Sequence, residues 1–165
     1  MESFAEIYMK YYSMVYHFLL KLSSNDNLAE ELTQQVFYKA FVHIGSFREN
    51  SSLYTWLCAI AKNEWLRECR RNKHFISEFI DEIPNRTDNE SLVDVIINKD
   101  IKKNLRKELL TMPEIYRDVL ILHIYANIPL KLIAKDKGKS ESWARVTYYR
   151  AKEYLSKRLE EHNED

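Results

Sequence analysis

Apolar residues recur at three- and four-residue spacing over the N-terminal part of the chain, which is the pattern of amphipathic helices. The first helix is predicted to begin at Ser3 and Glu6, whose spacing is that of a capping box, and a polar turn at 23–27 separates it from the second. Gly45 ends the second pattern, and a loop at 46–52 precedes the third. Three such helices can bury their apolar stripes against one another, so they predict one compact helical domain.

A stretch without clear periodicity separates these helices from the rest of the chain. This stretch, 74–90, contains Pro84 and the polar run 85–89, both of which favour a loop over a packed helix. We therefore predict an all-α chain with two small helical domains, at 1–73 and 91–165, joined by this linker.

The second domain is predicted to begin with two helices. Ser91 and Asp94 could cap the first of them. The second is predicted to start with a further capping pair, Thr111 and Glu114, and with Pro113 in the first turn, where a missing N–H has no cost.

The C-terminal part of the chain predicts a helix-turn-helix. A short apolar helix at 129–134 precedes Gly138, and Ser140 then caps a long basic helix. Such a unit can present its second helix to the major groove of DNA, although an ordinary helical hairpin with a basic solvent-facing side stays open. The helical spacing directs Trp143, Ala144, Tyr148 and Ala151 toward the core, and Ser142, Arg145, Tyr149 and Lys152 outward.

Composition supports the all-helical prediction. The chain has 2 Gly and 3 Pro, which leaves little material for the tight turns of a sheet. Hydrophobic residues make up 45% and charged residues 30%, as in a globular protein. No apolar run is long enough to cross a bilayer, and the acidic start of the chain is unlike a signal peptide. We therefore expect a cytoplasmic protein without direct membrane insertion.

The sequence contains none of the common catalytic or metal-binding motifs. Cys58 and Cys69 are not spaced as a zinc or disulfide pair, so we expect small core or surface residues, no metal and no cofactor. The two glycines cannot form a phosphate-binding loop, and the histidines are scattered along the chain. We therefore expect a protein that is not an enzyme.

The formal net charge of zero conceals a segregation of charge along the chain. Residues 62–73 include five basic and two acidic side chains, and 127–158 include nine basic and three acidic. Between them, 74–100 include two basic and seven acidic side chains, so the linker is acidic. Two basic surfaces on either side of an acidic linker suggest contact with a polyanion at two places, with solvated helix faces as the alternative.

Aromatic residues occur among basic residues around the third helix. Phe47, Tyr54, Trp56 and Trp65 lie near Arg48 and the basic end of that helix. Unstacked bases can lie on aromatic rings while cations follow the phosphate backbone, so this pattern predicts contact with single-stranded nucleic acid. Trp56 also lies on the apolar stripe, and a core position is the alternative for it.

The second helix carries a motif that resembles region two of extracytoplasmic-function sigma factors, usually written A-E-D-L-x-Q-E-x-F. The matching residues are Leu28-Ala29-Glu30-Glu31-Leu32-Thr33-Gln34-Gln35-Val36-Phe37. The resemblance continues in the family's order and spacing through Phe47-Arg48, Ser51-Ser52, Thr55-Trp56-Leu57, Ile60-Ala61-Lys62-Asn63 and Arg70-Arg71. A later block is similar to the family's region four: Met112-Pro113-Glu114, Val119-Leu120, Ile133-Ala134, Gly138, Ser140-Glu141 and Arg150-Ala151-Lys152.

The resemblance implies roles for three sets of residues. The set that matches the family's core-polymerase-binding motif is Glu31, Leu32, Gln34, Gln35 and Phe37. The set that matches its minus-ten segment, including the loop that captures a flipped base, is Phe47, Arg48, Asn50, Ser51, Ser52, Lys62, Asn63, Arg67, Arg70 and Arg71. The set that matches its minus-thirty-five reader is Ser140, Ser142, Arg145, Val146, Tyr149 and Arg150.

The resemblance also implies a function and partners. It implies an alternative sigma factor that binds the β′ clamp helices and β flap of RNA polymerase core, and that recognises and melts promoter DNA in response to envelope or environmental stress. An anti-sigma factor, which could be membrane-anchored, is the implied inhibitor. Two alternatives stay open: a helix-turn-helix regulator that acts without polymerase core, and a helical adaptor with no nucleic-acid role.

Overall fold

A computed structural model describes residues 2–49, 52–71 and 103–164 of the chain. Its regular elements in these ranges are all helical. The N-terminal group comprises α1 (Phe4–Ser23), α2 (Asp26–His43), a short 3₁₀ turn (Ile44–Ser46) and α3 (Leu53–Arg71). The C-terminal group comprises α4 (103–111), α5 (Glu114–Leu120) with a π-helical turn (Ile121–Tyr125), α6 (Leu130–Asp136) and α7 (Glu141–Asn163).

The predicted capping box starts α1. The hydroxyl of Ser3 accepts a hydrogen bond from the N–H of Glu6 at 3.3 Å, and the carboxylate of Glu6 accepts one from the N–H of Ser3 at 2.7 Å. The helix ends at Ser23, and the next residue, Ser24, has a left-handed backbone (φ 53°) and donates its N–H to the carbonyl of Leu20. Hydrogen bonds thus cap both ends of α1 and define its length.

Helices α2 and α3 also begin at side-chain caps. The side chain of Asn25 accepts a hydrogen bond from the N–H of Leu28 at 2.8 Å. At α3, the hydroxyl of Ser52 accepts one from the N–H of Thr55 at 3.1 Å. The three helices pack on one another as predicted, and their buried apolar side chains include Val15, Phe18, Leu19, Leu22, Ala29, Leu32, Val36, Phe37, Leu57, Ala61 and Trp65.

The predicted capping pair before α5 is wrong. The hydroxyl of Thr111 donates to the carbonyl of Lys107 at 3.1 Å, so Thr111 closes α4 instead of capping the next helix. Pro113 is the N-cap residue of α5 and not part of its first turn. A threonine hydroxyl can accept a hydrogen bond from an N–H of the helix that follows or donate one to a carbonyl of the helix that precedes it, and Thr111 does the second.

A π-helical turn extends α5 and was not predicted. The N–H of Ala126 donates to the carbonyl of Ile121, five residues earlier, at 3.3 Å. Asn127 follows with a left-handed backbone (φ 56°), which asparagine tolerates better than most residues. Both backbone features lie where the π-helical turn ends and the segment that leads into α6 begins.

The helix-turn-helix has the predicted geometry. Gly138 has a φ of 66°, a conformation that a residue with a Cβ adopts only at a cost, and it allows the sharp turn between α6 and α7. The hydroxyl of Ser140 then accepts a hydrogen bond from the N–H of Trp143 at 3.1 Å. Buried Ile133 and Ala134 hold α6 against α7.

The two helical groups pack against each other. Helix α3 contacts both the π-helical turn and α6. The sequence predicted a separate core for each group, but among the described residues the buried side chains form one continuous cluster that includes Phe18 from the first group and Leu122 from the second. The linker at 74–90 and the caps Ser91 and Asp94 lie outside the described residues, so the domain boundaries stay predictions.

Both cysteines are buried, free thiols. Burial raises the pKa of Cys58 and of Cys69 to about 12, so both remain protonated near neutral pH. The sequence analysis left core and surface positions open for the two cysteines, and both lie in the core.

Within the described ranges, no helix combines the length and apolar character required to span a bilayer. The same ranges hold no group of His, Cys, Asp or Glu side chains placed to bind a metal ion.

Candidate nucleic-acid interface

The outer face of α7 presents a row of exposed side chains. All five of its predicted base-contacting residues are exposed: Ser142, Arg145, Val146, Tyr149 and Arg150. On the opposite side, Ala144 and Ala151 are buried, and Trp143 and Tyr148 are half-buried. The division between inward and outward residues is the one that the helical spacing predicts. The row is therefore free to contact a ligand along about two turns of helix.

Two side chains of this row have weak intrahelical partners. Nη2 of Arg145 lies 2.7 Å from a carboxylate oxygen of Glu141, and both side chains are exposed. The hydroxyl of Tyr149 donates to Glu153 at 3.2 Å. Exposed pairs at this spacing contribute only about 0.3–0.5 kcal/mol. A phosphate or a base edge can therefore displace these partners at little cost.

The predicted polymerase-binding residues of α2 separate into surface and core. Glu31 and Gln34 are exposed and Gln35 is half-buried. Leu32 and Phe37 are instead 1% and 3% exposed, within the core shared by α1, α2 and α3. Their side chains have almost no surface through which to contact a partner, and they hold α2 in position.

Sequence reasoning missed an apolar extension of this α2 surface. Tyr38, Phe41 and Val42 are 71%, 60% and 56% exposed, one to two turns beyond Gln34. Phe41 lies at helical spacing with the apolar residues of α2, but its ring lies at the edge of the core, 5.1 Å from the ring of Phe4. The spacing from Gln34 to Tyr38 and Phe41, four and then three residues, was the signal that could have identified it.

The predicted minus-ten loop leads into α3. The rings of Phe47 and Trp56 lie 5.3 Å apart, and Arg48 is exposed. The sequence analysis left two roles open for Trp56, a ring exposed for base stacking and a core residue. Trp56 is half-buried, which is intermediate between the two. Ser52 is the cap of α3, and the predicted residues Asn50 and Ser51 lie outside the described part of the chain.

Four predicted minus-ten residues form an exposed polar and basic side of α3. They are Asn63, Arg67, Arg70 and Arg71. Arg67 lies 3.3 Å from the buried carboxylate of Glu64, which also pairs with Lys39 of α2. Glu64 thus joins α2 to α3 and leaves the guanidinium of Arg67 largely exposed.

Lys62 is placed differently from the rest of its set. Its side chain is 7% exposed, and its Nζ lies 2.9 Å from a carboxylate oxygen of Asp118 in α5. Burial lowers the pKa of Lys62, and the negative charge of Asp118 acts against that shift. The sequence contained no signal for this pair, because its partners belong to different helical groups.

Asp118 is the centre of a cluster of positive charges. Besides Lys62, Nζ of Lys137 lies 3.4 Å from its second oxygen, and Nε of Arg117 lies 3.8 Å from its first. Asp118 itself is buried. Its carboxylate therefore sits where cations from both helical groups converge.

The structure thus distributes the three predicted sets over three helices. The minus-thirty-five set lies on one face of α7, the surface part of the polymerase-binding set on α2, and the helical part of the minus-ten set on α3. Every member of these sets within the described ranges is exposed or half-buried except Leu32, Phe37 and Lys62.

Comparisons with known proteins match this architecture. Residues 7–75 match the family described as sigma-70 region 2. The chain is 28% identical over 168 residues to the RNA polymerase sigma factor YlaC of Bacillus subtilis, covering 99% of this chain and 96% of that protein. It is 29% identical over 150 residues to the ECF RNA polymerase sigma factor SigM of the same organism, covering 91% of each.

A solved structure has the same fold. It is the sigma factor RpoE of Bartonella quintana in complex with the anti-sigma factor NepR. The TM-score is 0.54 and the sequence identity 22%, and the match covers 95% of this chain and 96% of that one. At this identity the likeness shows the fold alone.

Proposed function

We propose that this chain, which belongs to the extracytoplasmic-function sigma factors of the sigma-70 family, directs RNA polymerase core to promoters and takes part in melting them. The observation that carries the proposal is the outer face of α7. A capped helix after a Gly138 turn presents Arg145, Tyr149 and Arg150 to solvent together, which is the arrangement that major-groove recognition needs.

The minus-thirty-five element is the proposed ligand of this face. Arg145 can donate two hydrogen bonds to the edge of a guanine, and the exposed N–H groups behind Ser140 can hold a backbone phosphate. Exposed Arg67, Arg70 and Arg71 on α3 would contact the backbone of the minus-ten element. Two DNA sites on two helical groups explain the two basic segments of the sequence.

Polymerase core is the proposed protein partner. Glu31 and Gln34 would contact the β′ clamp helices, and the exposed Tyr38 and Phe41 beyond them would extend that contact. Aromatic side chains are enriched at protein interfaces, which favours this extension. The C-terminal group would contact the β flap, and an anti-sigma factor, either soluble or membrane-anchored, would hold the chain inactive in the cytoplasm. In this role the chain would act by binding alone and would catalyse no reaction itself.

Gel filtration of the full chain with purified core polymerase tests the polymerase contact. We expect co-elution for the wild type and weaker association for Gln34→Ala. The control, Lys21→Ala, changes an exposed residue at the end of α1 and should co-elute like the wild type. Absence of co-elution, together with tight sequence-specific duplex binding by the chain alone, would instead support a regulator that acts without core.

A further inference from the structure

The outer face of α7 has an apolar centre. Val146 and Tyr149 are 48% and 60% exposed, and residues three apart on a helix are neighbours on its surface. The helical period places exposed Arg145 on one side of these two residues and exposed Arg150 on the other, with exposed Ser142 one turn before Val146. Val146 and Tyr149 are called the apolar pair below. The face therefore combines an apolar pair with a cation at each edge.

Packing within the chain does not use the apolar pair. Within the described ranges, neither Val146 nor Tyr149 belongs to the buried cluster or packs against it. The adjacent Tyr148 differs, because it packs against that cluster and its ring lies 4.7 Å from the ring of His123. The hydroxyl of Tyr149 donates to Glu153, which leaves most of the side chain exposed. The apolar pair is thus available to a ligand, and burying it would be favourable by the hydrophobic effect.

The major groove of DNA presents a matching apolar group. The base edges in that groove carry hydrogen-bond donors and acceptors, and thymine adds its C5-methyl group. Arginine side chains can bind the polar base edges or the phosphates that border the groove. An apolar pair between two arginines therefore fits a thymine on the floor of the groove.

We infer that the apolar pair contacts the C5-methyl group of a thymine in the minus-thirty-five element, and that this thymine is part of the sequence that the chain recognises. The inference rests on the proposed function, since it takes α7 as the helix that enters the major groove. The contact adds a base preference that Arg145 cannot supply, because a guanidinium recognises hydrogen-bond acceptors and not a methyl group.

Replacement of thymine by deoxyuridine is the direct test, because it removes the methyl group and keeps the hydrogen-bonding edge of the base. The probe is a duplex that core polymerase with the full chain retains from a library with a randomised segment. Each thymine of this duplex is replaced in turn, and binding by polymerase with the chain is titrated. With the wild type, replacement at one thymine of the minus-thirty-five element should weaken binding about four-fold, the effect of one buried methyl group.

Three variants show whether Val146 is responsible for this sensitivity. Val146→Ser removes both methyl groups at an exposed helix position, where serine and valine have similar helix propensity, so the fold should persist and the sensitivity should disappear. Val146→Thr keeps one methyl group and should restore most of the sensitivity. Ile124→Ser is the matched control, because Ile124 is 47% exposed in the π-helical turn, outside α7, and its replacement should leave the four-fold effect unchanged. Circular dichroism verifies that each variant is folded.

A duplex in which no thymine shows an effect that depends on Val146 would overturn the inference. Equal sensitivity to deoxyuridine in Val146→Ser and Ile124→Ser would overturn it as well. In both cases the retained duplex still demonstrates promoter selection, so the proposed function would stand. If polymerase with the chain retained no sequence above polymerase alone, the proposed function itself would fail, and this inference with it.

Discussion

Glu108 accepts a hydrogen bond from Nε of Arg158 at 3.2 Å, and this contact joins α4 to the C-terminal half of α7. The second oxygen of Glu108 lies 2.7 Å from Nε2 of His162, one turn further along α7. Glu108 is buried, whereas Arg158 is exposed. One carboxylate on α4 thus fixes the end of the proposed DNA-reading helix.

This contact predicts an acid sensitivity that Glu108→Gln reduces. Burial raises the pKa of Glu108, but the hydrogen bonds and charges of His162 and Arg158 together hold that pKa below its ordinary value of 4.5. A carboxyl group with a lowered folded-state pKa stabilises the fold above 4.5 and loses that contribution as the pH falls through the folded-state value. The free energy of unfolding, measured with urea across this range, should therefore decline less steeply in the variant.

Glu160→Gln is the control for this measurement, because Glu160 is an exposed acid on α7, the helix that Glu108 contacts. It should retain the pH dependence of the wild type. If Glu108→Gln also retained it, the contact with Arg158 and His162 would not contribute to acid stability.

Leu32→Ala and Gln34→Ala should weaken polymerase association for different reasons. Leu32 is 1% exposed, so its truncation leaves a cavity and should lower the free energy of unfolding by about 2–5 kcal/mol. Gln34 is exposed, and its replacement should change that free energy by less than about 0.5 kcal/mol while it still weakens the complex. Urea denaturation together with core-binding titrations separates the two effects. A large stability loss in Gln34→Ala would argue against its place on the contact surface.

Ser140 should have two separable roles. Ser140→Ala removes the cap of α7 and should lower the free energy of unfolding by about 0.5–2 kcal/mol. Ser140→Asp restores a cap but places a negative charge where a DNA phosphate would lie, so it should keep stability and lose DNA affinity. Thermal unfolding and duplex-binding titrations measure the two quantities. Unchanged DNA affinity in Ser140→Asp would remove Ser140 from the proposed interface.

Arg145→Ala should weaken promoter binding without destabilising the fold. Its guanidinium is exposed and its pair with Glu141 is weak, whereas loss of a bidentate base contact costs about 1–3 kcal/mol. Lys157→Ala removes the same charge from an exposed position further along α7 and serves as the control. Promoter-binding titrations of polymerase with each variant make the comparison. Equal losses would indicate a general charge effect instead of recognition by Arg145.

Local features of the fold were predictable from the sequence. The pairs Ser3 with Glu6 and Ser140 with Trp143 are short-range hydrogen bonds, and their partners are set by sequence spacing. Gly138 likewise marks its turn through backbone conformation alone. The outer face of α7 follows from the helical period, because one helix places its residues regardless of what packs behind it.

Features that depend on how the helices pack, or on a choice between two local partners, were not predictable. Lys62 and Asp118 are far apart in the sequence, and nothing in either local pattern indicates that they meet. The motif around Leu32 and Phe37 likewise does not separate side chains that contact a partner from those that support the helix. Thr111 could bond to the helix before it or after it, and its residue type alone does not decide between them.

The most direct test of the proposed function is transcription by purified core polymerase on genomic DNA fragments, with and without saturating amounts of this chain. Mapping the 5′ ends of the transcripts should reveal new, defined start sites that require the chain, and Gln34→Ala should reduce their use. Start sites that are the same with and without the folded chain would contradict the account.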